Sequence, residues 1–554
     1  MPRDLQLTFR PGPEPPPLDE AALLPVARRN LRGEEVEALR VLKVSFDARH
    51  RHRVWRVAVR CFEPGEPIPE PPRTTPEAIA APGPSAPHAV VIGSGPAGLF
   101  CALALLAGGV RVTVLERGRD VRTRRRAIRA LNRGEPADPD GNYCFGEGGA
   151  GTYSDGKLYT RTGRKRDVRG VLETLVAHGA PTDILVSGRP HVGSNRLPDV
   201  VAALRKTILE AGGDVRFGER AEEIETKDGG VRAVVTRSLD TNELHRIDAD
   251  ACVLATGHSA RDSIEMAARA GARLEPKGFA MGVRVEHPQE WLDDRQYDGL
   301  RGPCDLPAAN YELAAQTDGR GVYSFCMCPG GFIVPATTAS DRVVVNGMSL
   351  SRRDSPFANS GVVVAIEPED WCGERGEDWG FDQLLALAGR PSGLPEVPEQ
   401  DPLFGVRIQE ALEHLAALAG GGAGRAPGER VDHLVDGYAS AGSAPPPPTS
   451  YRPGVTDTPL VDVLPPGIFE RLRHGLIEFD RKLPGFVTER GVALGVESRT
   501  SSPVRVARDD ESLESLGVAR LYPSGEGAGY AGGIVSAALD GERVAQALLA
   551  KLVP

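Results

Sequence analysis

The sequence predicts an α/β protein built around a doubly wound, Rossmann-type sheet. The first observation is a buried strand at Val90–Ile92, an apolar helix at Leu99–Ala107 and a second strand at Arg111–Leu115. The second is a later strand over 244–254, which leads into the small residues Ala255–Gly257. Strands that alternate with helices in this way are typical of a parallel sheet covered on both faces.

The chain is long enough for several domains. Its 554 residues exceed what one core holds, so we expect two to four domains. Residues 1–62 read as a small α+β unit with strands at 5–9, 39–46 and 53–62 and a helix at 19–29. The proline-rich run 63–87 predicts an extended linker. The remaining predicted divisions are the first part of the Rossmann-type domain (88–277), an inserted α+β substrate or cap domain (278–500) and the C-terminal part of the Rossmann-type domain (501–554), whose last helix is expected from near Gly532 to Leu552.

Two segments late in the chain are predicted to be irregular because they are rich in glycine or proline. They are 420–429 and 443–454. The glycines at 420–424 follow a helix-like stretch, Leu412–Leu418, and are expected to end that helix.

Composition narrows the class of protein. Lys and Arg number 66 against 76 Asp and Glu, and the net charge of −10 with no long basic run argues against nucleic-acid or anionic-membrane binding. The most apolar stretch, 90–115, is broken by five glycines, so no membrane span is expected. The N-terminus has no apolar segment typical of a secretory signal. The eight dispersed cysteines suggest neither a disulfide scaffold nor a metal site, and a cytoplasmic location is expected.

The loop after the first strand has the spacing of a dinucleotide site. Gly93 permits a tight turn, Gly95 lets the backbone approach a pyrophosphate, and Gly98 lets helix pack on strand. The start of the helix, Pro96-Ala97, offers unpaired N–H groups to that pyrophosphate. Glu116, 18 positions after Gly98 and followed by Arg117, can accept both hydroxyls of an adenosine ribose. This segment alone does not separate FAD from NAD.

Two distant segments favour FAD through a resemblance. Leu254–His258, with Thr256 and Gly257, and Leu521–Gly533 followed by Ile534 resemble the second and third cofactor segments of the glutathione-reductase-like flavoprotein superfamily. The resemblance implies that the acid after the last strand bonds the ribityl chain and that the next helix begins at the flavin pyrimidine. The residues it implies in the last segment are Gly525, Glu526 (where many relatives carry Asp), Gly532, Gly533 and Ile534.

Longer motifs resemble one bacterial family, usually called uncharacterised FAD-dependent dehydrogenases. They are Val44–Arg49, Phe145–Leu158, Gly282–Pro288, Tyr323–Gly331, Asn346–Ser349 and Glu497–Pro503. The resemblance implies a fold and FAD, but no agreed reaction. At Asn195 the sequence departs from the family, whose members tend to carry an acid there.

The glycine-rich run 145–158 is expected to pass beside the pyrophosphate and the flavin ring, as the corresponding loop does in similar flavoproteins. An ordinary flexible loop is the alternative. Its predicted cofactor contacts are Gly148, Gly149, Gly151, Thr152 and Asp155.

Catalytic candidates are cations and proton carriers that could serve a flavin reaction. Arg284 and Glu286 would share one face of a strand, with His287 on the other. Arg499 precedes three hydroxyl residues and could bind substrate or only shape a turn. Cys326 and Cys328 would share a strand face. Two small residues packed near the ring are favoured over a redox-active disulfide, because disulfide reductases of related fold usually place their cysteine pair at a helix start.

These features predict an FAD-dependent dehydrogenase or reductase that transfers a hydride between flavin and a small organic substrate. A flavin monooxygenase is the enzymatic alternative, and a redox sensor that docks a protein partner through its N-terminal unit is the non-enzymatic one. Flavin-dependent RNA modification suits the fold, but the acidic charge argues against it. No dedicated pyridine-nucleotide domain is expected, so NAD(P)H would dock only transiently.

Overall fold

The computed structural model describes residues 3–31, 35–48, 53–160, 165–371, 373–388, 401–437 and 444–553. The N-terminal unit is a three-stranded antiparallel sheet with one helix. Its elements are β1 (Arg3–Phe9), α1 (Glu20–Asn30), β2 (Ala38–Asp47) and β3 (Val54–Phe62), with strand order β1-β3-β2. The predicted alternation of β3 is confirmed, because Val57, Val59 and Cys61 are buried under α1 while Arg60 is exposed.

The family motif in β2 attaches this unit to the rest of the chain. Val44 donates its N–H to Val186 O at 2.7 Å and accepts from Gly188 N at 2.7 Å. Arg49, the last residue of that motif, lies outside the described residues. Residues 63–87 contain no helix or strand, as a linker requires.

A five-stranded parallel sheet forms the centre of the molecule. Its strands are β4 (His88–Ile92), β5 (Arg111–Glu116), β6 (Asp214–Phe217), β10 (Ala251–Leu254) and β22 (Leu521–Pro523), in the order β22-β10-β4-β5-β6. The C-terminal strand β22 and the early strand β4 both pair with β10, so distant segments of the chain share one sheet. One face is covered by α2 (Pro96–Ala107), α4 (Lys165–Ala177), α5 (Leu197–Glu210) and α13 (Ile534–Leu552), and α3 (Val121–Leu131) lies beside them.

The other face is covered by a small antiparallel sheet and a helix. They comprise β7 (Glu219–Lys227), β8 (Gly230–Ser238), β9 (Leu244–Asp248) and α6 (Arg261–Arg269). The prediction of one strand over 244–254 is wrong. The chain turns at Ala249-Asp250, so β9 pairs with β8 while β10 joins the central sheet. The sequence analysis also missed β7, whose charged residues ERAEEIETK give little apolar alternation.

The inserted region forms a seven-stranded sheet with its own core. The sheet contains β12 (Phe279–Pro288), β13 (Ala314–Thr317), β14 (Arg320–Cys328), β17 (Phe357–Ile366), β18 (Ala426–Arg430), β19 (Val455–Asp457) and β20 (Val492–Glu497), in the order β13-β14-β17-β12-β20-β18-β19. A hairpin of β15 (Gly331–Pro335) and β16 (Val345–Ser349) lies beside it, and β11 (Leu274–Pro276) pairs with β21 (Val504–Val506). Its helices are α7 (Gln289–Tyr297), α8 (Gly373–Trp379), α9 (Phe381–Leu387), α10 (Phe404–Gly420), α11 (Val431–Asp436) and α12 (Pro466–Lys482).

The prediction that residues 420–429 are irregular is wrong for the second half of this segment. Gly421, with φ of +77°, ends α10 as expected. The chain then enters β18, whose five residues are all buried between β20 and β19. Burial in the sheet overrides the low strand propensity of Ala-Pro-Gly. In the other segment, 444–453 and Gly454 form no helix or strand, and Ser443 lies outside the described residues.

Two glycines of the dinucleotide loop are required by close contacts. Gly93 has φ of +106°, and an added Cβ would lie 2.3 Å from Ala255 O, where β10 ends. An added Cβ on Gly98 would lie 1.9 Å from Gly93 O and 3.3 Å from a methyl of Val91. Because a side chain at either position would clash with the backbone, only glycine lets α2 pack this closely against β4.

We therefore expect opposite effects from two helical Gly→Ala substitutions. Alanine favours a helix over glycine by about 1 kcal/mol. Gly170→Ala, in α4, adds a methyl group with no atom within 4 Å and should raise the free energy of unfolding by about 0.5–1 kcal/mol. Gly98→Ala should lower it by about 1–3 kcal/mol or more, because the backbone must move. Urea denaturation followed by circular dichroism measures both, and a stabilising Gly98→Ala would contradict the close packing.

Candidate cofactor and active site

One cavity of about 1360 Å³ extends from the ends of β4 and β10 to the sheet of the inserted region. Most of the predicted cofactor residues line it, although they come from four distant segments. They are Gly93, Gly95, Pro96, Ala97, Glu116, Arg117, Gly149, Gly151, Asp155, Thr256, Gly257, Glu526, Gly532, Gly533 and Ile534.

Four predicted cofactor residues lie behind the cavity wall. Gly98 packs on Gly93, and an added Cβ on Gly525 would lie 2.8 Å from Ala97. Thr152 Oγ1 donates to Glu147 O at 2.9 Å, and an added Cβ on Gly148 would lie 1.9 Å from the same Oγ1. These residues shape the loops and do not face the cavity.

The cavity has the features that a dinucleotide needs. An added Cβ on Gly95, Gly532 or Gly533 would meet no protein atom within 4 Å, so the backbone at these positions faces open space. The helices α2 and α13 both begin at this space, and their first N–H groups have no partner within their own helices. Such helix N-termini bind phosphate and anionic groups. The residues present therefore fit FAD.

Glu116 has a second role beyond the predicted ribose contact. Its Oε2 accepts from Ser94 N at 3.1 Å and Ser94 Oγ at 2.7 Å, while its Oε1 accepts from Gly118 N at 2.9 Å and Gly146 N at 3.0 Å. One buried carboxylate thus connects the dinucleotide loop to the glycine-rich run. The contact with a ribose stays a prediction.

Arg124 fixes the glycine-rich run, and the residues just before it, through hydrogen bonds to their backbone carbonyls. Its side chain, only 1% exposed, donates to five backbone carbonyls. The acceptors are Asn142 (2.9 Å), Tyr143 (2.8 Å), Gly146 (3.2 Å), Glu147 (2.9 Å) and Gly149 (2.8 Å). Sequence reasoning missed this residue, since it is one of six arginines in the segment 117–126 and no pattern distinguishes it.

Glu526 lies at the cavity wall near two basic side chains. Its Oε2 is 3.5 Å from His258 Nδ1. Lys277 also lines the cavity, and burial together with the nearby Arg505 lowers the pKa of its ammonium group. Glu526, His258 and Lys277 thus form a group of ionisable side chains at the cavity wall.

Asp155 connects the glycine-rich run to the inserted region. Its carboxylate accepts from Arg353 Nη2 at 2.6 Å and from Ser349 Oγ, and it lies 3.2 Å from Lys157 Nζ. Burial opposes its charge, but Lys157 and Arg353 outweigh burial and hold the pKa of Asp155 below its ordinary value. The carboxylate stays ionised and positions Lys157.

Lys157 lies against the two predicted cysteines. Its Nζ is 3.6 Å from the Sγ of Cys326 and 3.6 Å from the Sγ of Cys328. Cys326 and Lys157 line the cavity, while Cys328 lies directly behind them and is fully buried. The sequence analysis named Lys157 only as part of a motif, although it is the one lysine in the run 145–158.

Arg499 lines the cavity, but its guanidinium group already forms an ion pair with a carboxylate. Glu413 accepts from Arg499 Nε at 2.9 Å and Nη2 at 2.8 Å, and from Arg261 Nη2 at 2.9 Å. Burial opposes the charge of Glu413, but the two arginines outweigh it and lower the pKa of the carboxyl group. Glu413 was missed, although it follows Gln409 by four residues on the buried face of α10, where a carboxylate needs a partner.

Arg284 and His287 lie in the interior of the inserted region. Arg284 is 0% exposed and pairs with Glu497 at 3.0 Å. His287 Nε2 lies 2.8 Å from Phe486 O, and its ring stacks on Trp291 at 4.7 Å. Burial lowers the pKa of His287 to about 4, so its ring is neutral. The structure places neither side chain in the wall of the cofactor cavity.

Three family models match parts of the chain. A model described as "FAD binding domain" matches residues 87–133, one described as "FAD dependent oxidoreductase" matches residues 193–354, and one described as "FAD-dependent protein, C-terminal domain-like" matches residues 278–500. A protein of Clostridium beijerinckii, described as uncharacterized, is 38% identical over 545 residues, which cover 94% of each chain.

Two solved structures are similar to parts of this chain at low sequence identity. A glycerol-3-phosphate dehydrogenase from Bacillus halodurans in complex with FAD is 14% identical over 51% of this chain and 48% of its own, with a TM-score of 0.27. A 3-ketosteroid-Δ4-(5α)-dehydrogenase from Rhodococcus jostii RHA1 is 11% identical over 86% of this chain and 100% of its own, with a TM-score of 0.34.

The fold, the cavity and the matching models define this chain as an enzyme that uses FAD, an FAD-dependent oxidoreductase. More particularly, it belongs to the bacterial family of FAD-dependent oxidoreductases that the family motifs indicated and that includes the clostridial protein. Within the described residues, no helix is long and apolar enough to cross a membrane, and no group of histidine, cysteine and acidic side chains could hold a metal ion.

Replacing Arg124 should release the cofactor. We expect Arg124→Met to leave five carbonyls without their donor and to lower FAD affinity by at least about tenfold, because the loop from 142 to 149 loses its anchor. The control is Arg126→Met, on the exposed face of the same helix. The fraction of FAD retained after gel filtration, read from flavin absorbance, distinguishes them, and equal retention would contradict the anchoring role.

Replacing Glu413 should destabilise the protein in a pH-dependent way. Glu413→Gln leaves Arg499 buried without its counter-charge and leaves Arg261 with Glu410 alone, which costs about 3–5 kcal/mol of unfolding free energy at neutral pH. Because the folded pKa of Glu413 is depressed, its contribution is present above the ordinary glutamate pKa of about 4.3 and is lost as the pH falls below that value.

The control is Glu210→Gln, in an exposed pair with Lys206, which should change stability by less than about 1 kcal/mol. Urea denaturation from neutral to acid pH measures both variants. A Glu413→Gln deficit that stays constant down to pH 3 would contradict the ionised state of this carboxylate.

Proposed function

We propose that this enzyme is an FAD-dependent dehydrogenase or reductase that transfers a hydride between flavin and a small organic substrate. The observation that supports this proposal is the continuity of the cavity. It begins at the predicted cofactor loops and continues, without a dividing wall, to the sheet of the inserted region. We propose that the part of the cavity beyond the predicted cofactor loops holds the substrate beside the flavin.

The substrate would lie against one edge of that sheet. The wall there includes Tyr311 and Leu313, followed by Tyr323 and Phe325 on β14. Tyr311 is held in place because its hydroxyl lies 2.8 Å from Ser360 Oγ. Side chains fixed on strands form a rigid apolar surface, which suits the exclusion of water from hydride transfer.

Polar groups that line the cavity beside this surface could orient the substrate. Lys157, Tyr159 and Arg189 come from the glycine-rich run and the segment that follows it. Arg189 lies 3.7 Å from Glu312, and both side chains are about half exposed. The proposed substrate is therefore a molecule with an apolar body and one polar end.

The cofactor itself would supply hydride chemistry, and the chain's residues would bind and orient it. We propose that the N–H groups at the start of α2 bind the pyrophosphate, that Glu526 binds the ribityl chain, and that the start of α13 lies at the flavin pyrimidine. Positive helix termini stabilise negative charge on a reduced flavin. NADH or NADPH would reach the flavin through the cavity mouth as a transient donor.

Anaerobic absorbance titration tests this proposal. We expect NADH or NADPH to bleach the flavin band of the purified holoenzyme, and a small organic acceptor to restore it without oxygen. The control is Gly95→Ala, whose added methyl meets no protein atom within 4 Å and occupies the proposed pyrophosphate site. It should keep its fold and lose FAD affinity by at least about tenfold.

Two other outcomes of this titration would indicate other functions. Restoration only by oxygen, with incorporation of oxygen into the substrate, would indicate a monooxygenase. A flavin band that persists with both nicotinamides would contradict the nicotinamide-driven reductase and indicate a dehydrogenase that oxidises its own substrate.

A further inference from the structure

Two thiols and one ammonium group meet at the wall of the cofactor cavity. Lys157 Nζ lies 3.6 Å from each of the Sγ atoms of Cys326 and Cys328, so both thiols lie on the same side of the chain. Cys328 also donates from its Sγ to the backbone oxygen of Cys326 at 3.2 Å. In the described residues all seven cysteines carry free thiols, so this is the pair in its reduced form.

The backbone at the cysteine pair departs from a regular strand. Residues i and i+2 of an extended strand are about 6.6 Å apart at Cα, near the upper limit of about 6.8 Å for a disulfide. Here the pairing of β14 with β17 is interrupted between Phe325 and Cys328, and Cys326 has φ of +47°. A left-handed residue in this interruption bends the chain, and such conformations cluster at functional sites.

The charges around the pair favour thiol chemistry. Hydrogen bonding from Cys328, opposed by burial and reinforced by Lys157 and Arg284, lowers the pKa of Cys326. The same contact raises the pKa of Cys328, because its thiolate would face that of Cys326. Arg284 Nη2 lies 3.6 Å from Cys328 Sγ and donates to Cys326 O at 2.8 Å. One thiolate beside one thiol is the arrangement from which a disulfide forms and into which it is reduced.

The absence of a helix start does not exclude a redox pair here. In disulfide reductases of related fold the helix N-terminus supplies the positive charge that stabilises a thiolate. In this chain Lys157 and Arg284 place two cationic groups at the thiols, and each of these groups is also paired with a carboxylate, Asp155 and Glu497 respectively. These tertiary contacts take the place of a helix N-terminus. The lack of such a helix start is the reason why the sequence favoured two cysteines that only pack near the ring.

We propose that Cys326 and Cys328 form a reversible disulfide that exchanges two electrons with the FAD cofactor. In the oxidative direction the Cys326 thiolate and the Cys328 thiol would together lose two electrons and one proton as an Sγ–Sγ bond forms, and FAD would accept both electrons and the proton to give its reduced anion, FADH⁻. In the reductive direction the Sγ–Sγ bond would break as it accepts two electrons and one proton from the reduced cofactor, which restores the Cys326 thiolate and the Cys328 thiol. Lys157 is the positioning residue that holds the Cys326 thiolate. The proposal rests on the FAD site but not on the identity of the substrate.

Mass spectrometry of the holoenzyme tests whether the disulfide forms. The purified protein is oxidised in air, denatured in the presence of an alkylating agent and digested. We expect the peptide containing Cys326 and Cys328 to be unalkylated and two hydrogen atoms lighter than its reduced form, and to become doubly alkylated after reduction. Oxidised protein in which both thiols are fully alkylated would overturn the proposal, and this measurement needs no variant and no turnover.

Anaerobic dithionite titration tests the exchange of electrons with the flavin. Wild-type holoenzyme should take up two electrons more per flavin than Cys326→Ser or Cys328→Ser, because a disulfide is a two-electron couple. Cys304→Ser is the matched control, since this half-buried cysteine lies outside the cavity wall and should leave the uptake at the wild-type value. Equal uptake by wild type and both pair variants would overturn the exchange.

Flavin bleaching separates this proposal from the proposed function. If NADH or NADPH bleaches the flavin equally in wild type and Cys326→Ser, and neither forms the disulfide, the thiol proposal alone fails. If the disulfide forms and dithionite uptake shows the extra two electrons while neither nicotinamide bleaches the flavin, the thiol proposal stands and the nicotinamide-driven reductase fails.

Discussion

The structure depends on how the glycine-rich run from 145 to 158 is held against the dinucleotide loop. Glycines let this run approach the start of α2, but they give it no side chains with which to hold itself there. Arg124 supplies donors to its carbonyls, and Glu116 accepts from Gly146 and Ser94. The same run also carries Asp155 and Lys157. Its position therefore determines both the shape of the cofactor cavity and the place of Lys157 beside the cysteines of the inserted region.

Charge pairing in the inserted region explains why some candidate residues are not free for substrate. Arg499 is bound by Glu413, and Arg284 is bound by Glu497. Burial raises the pKa of Glu497 to about 7 even though Arg284 opposes that change. A buried charge needs a counter-charge, so a basic residue in an apolar strand indicates an acidic partner within the protein more strongly than it indicates a substrate. Lys157 differs because its partners include two thiols that can change oxidation state.

Much of the cofactor side of the molecule was predictable from sequence. The dinucleotide loop at Gly93–Gly98 and the return of the chain at Leu521–Gly533 are local patterns whose chemistry is carried by the backbone. Glycine spacing and an acid after a strand report such geometry directly. The strand β18 and the division of 244–254 were not predictable in this way, because burial and pairing partners, and not local propensity, decided them.

The sequence by itself determined the class of fold and a dinucleotide site, since these rest on short-range patterns, and its resemblance to known flavoproteins indicated FAD and the segments that surround it. The tertiary structure alone decided which side chains meet. Arg124, Glu413 and Lys157 gain their roles from partners between 18 and 171 positions away, and no periodicity of the chain records such distances. A catalytic arrangement depends on these long-range contacts, and they exist only once the sheet of the inserted region packs against the cofactor loops.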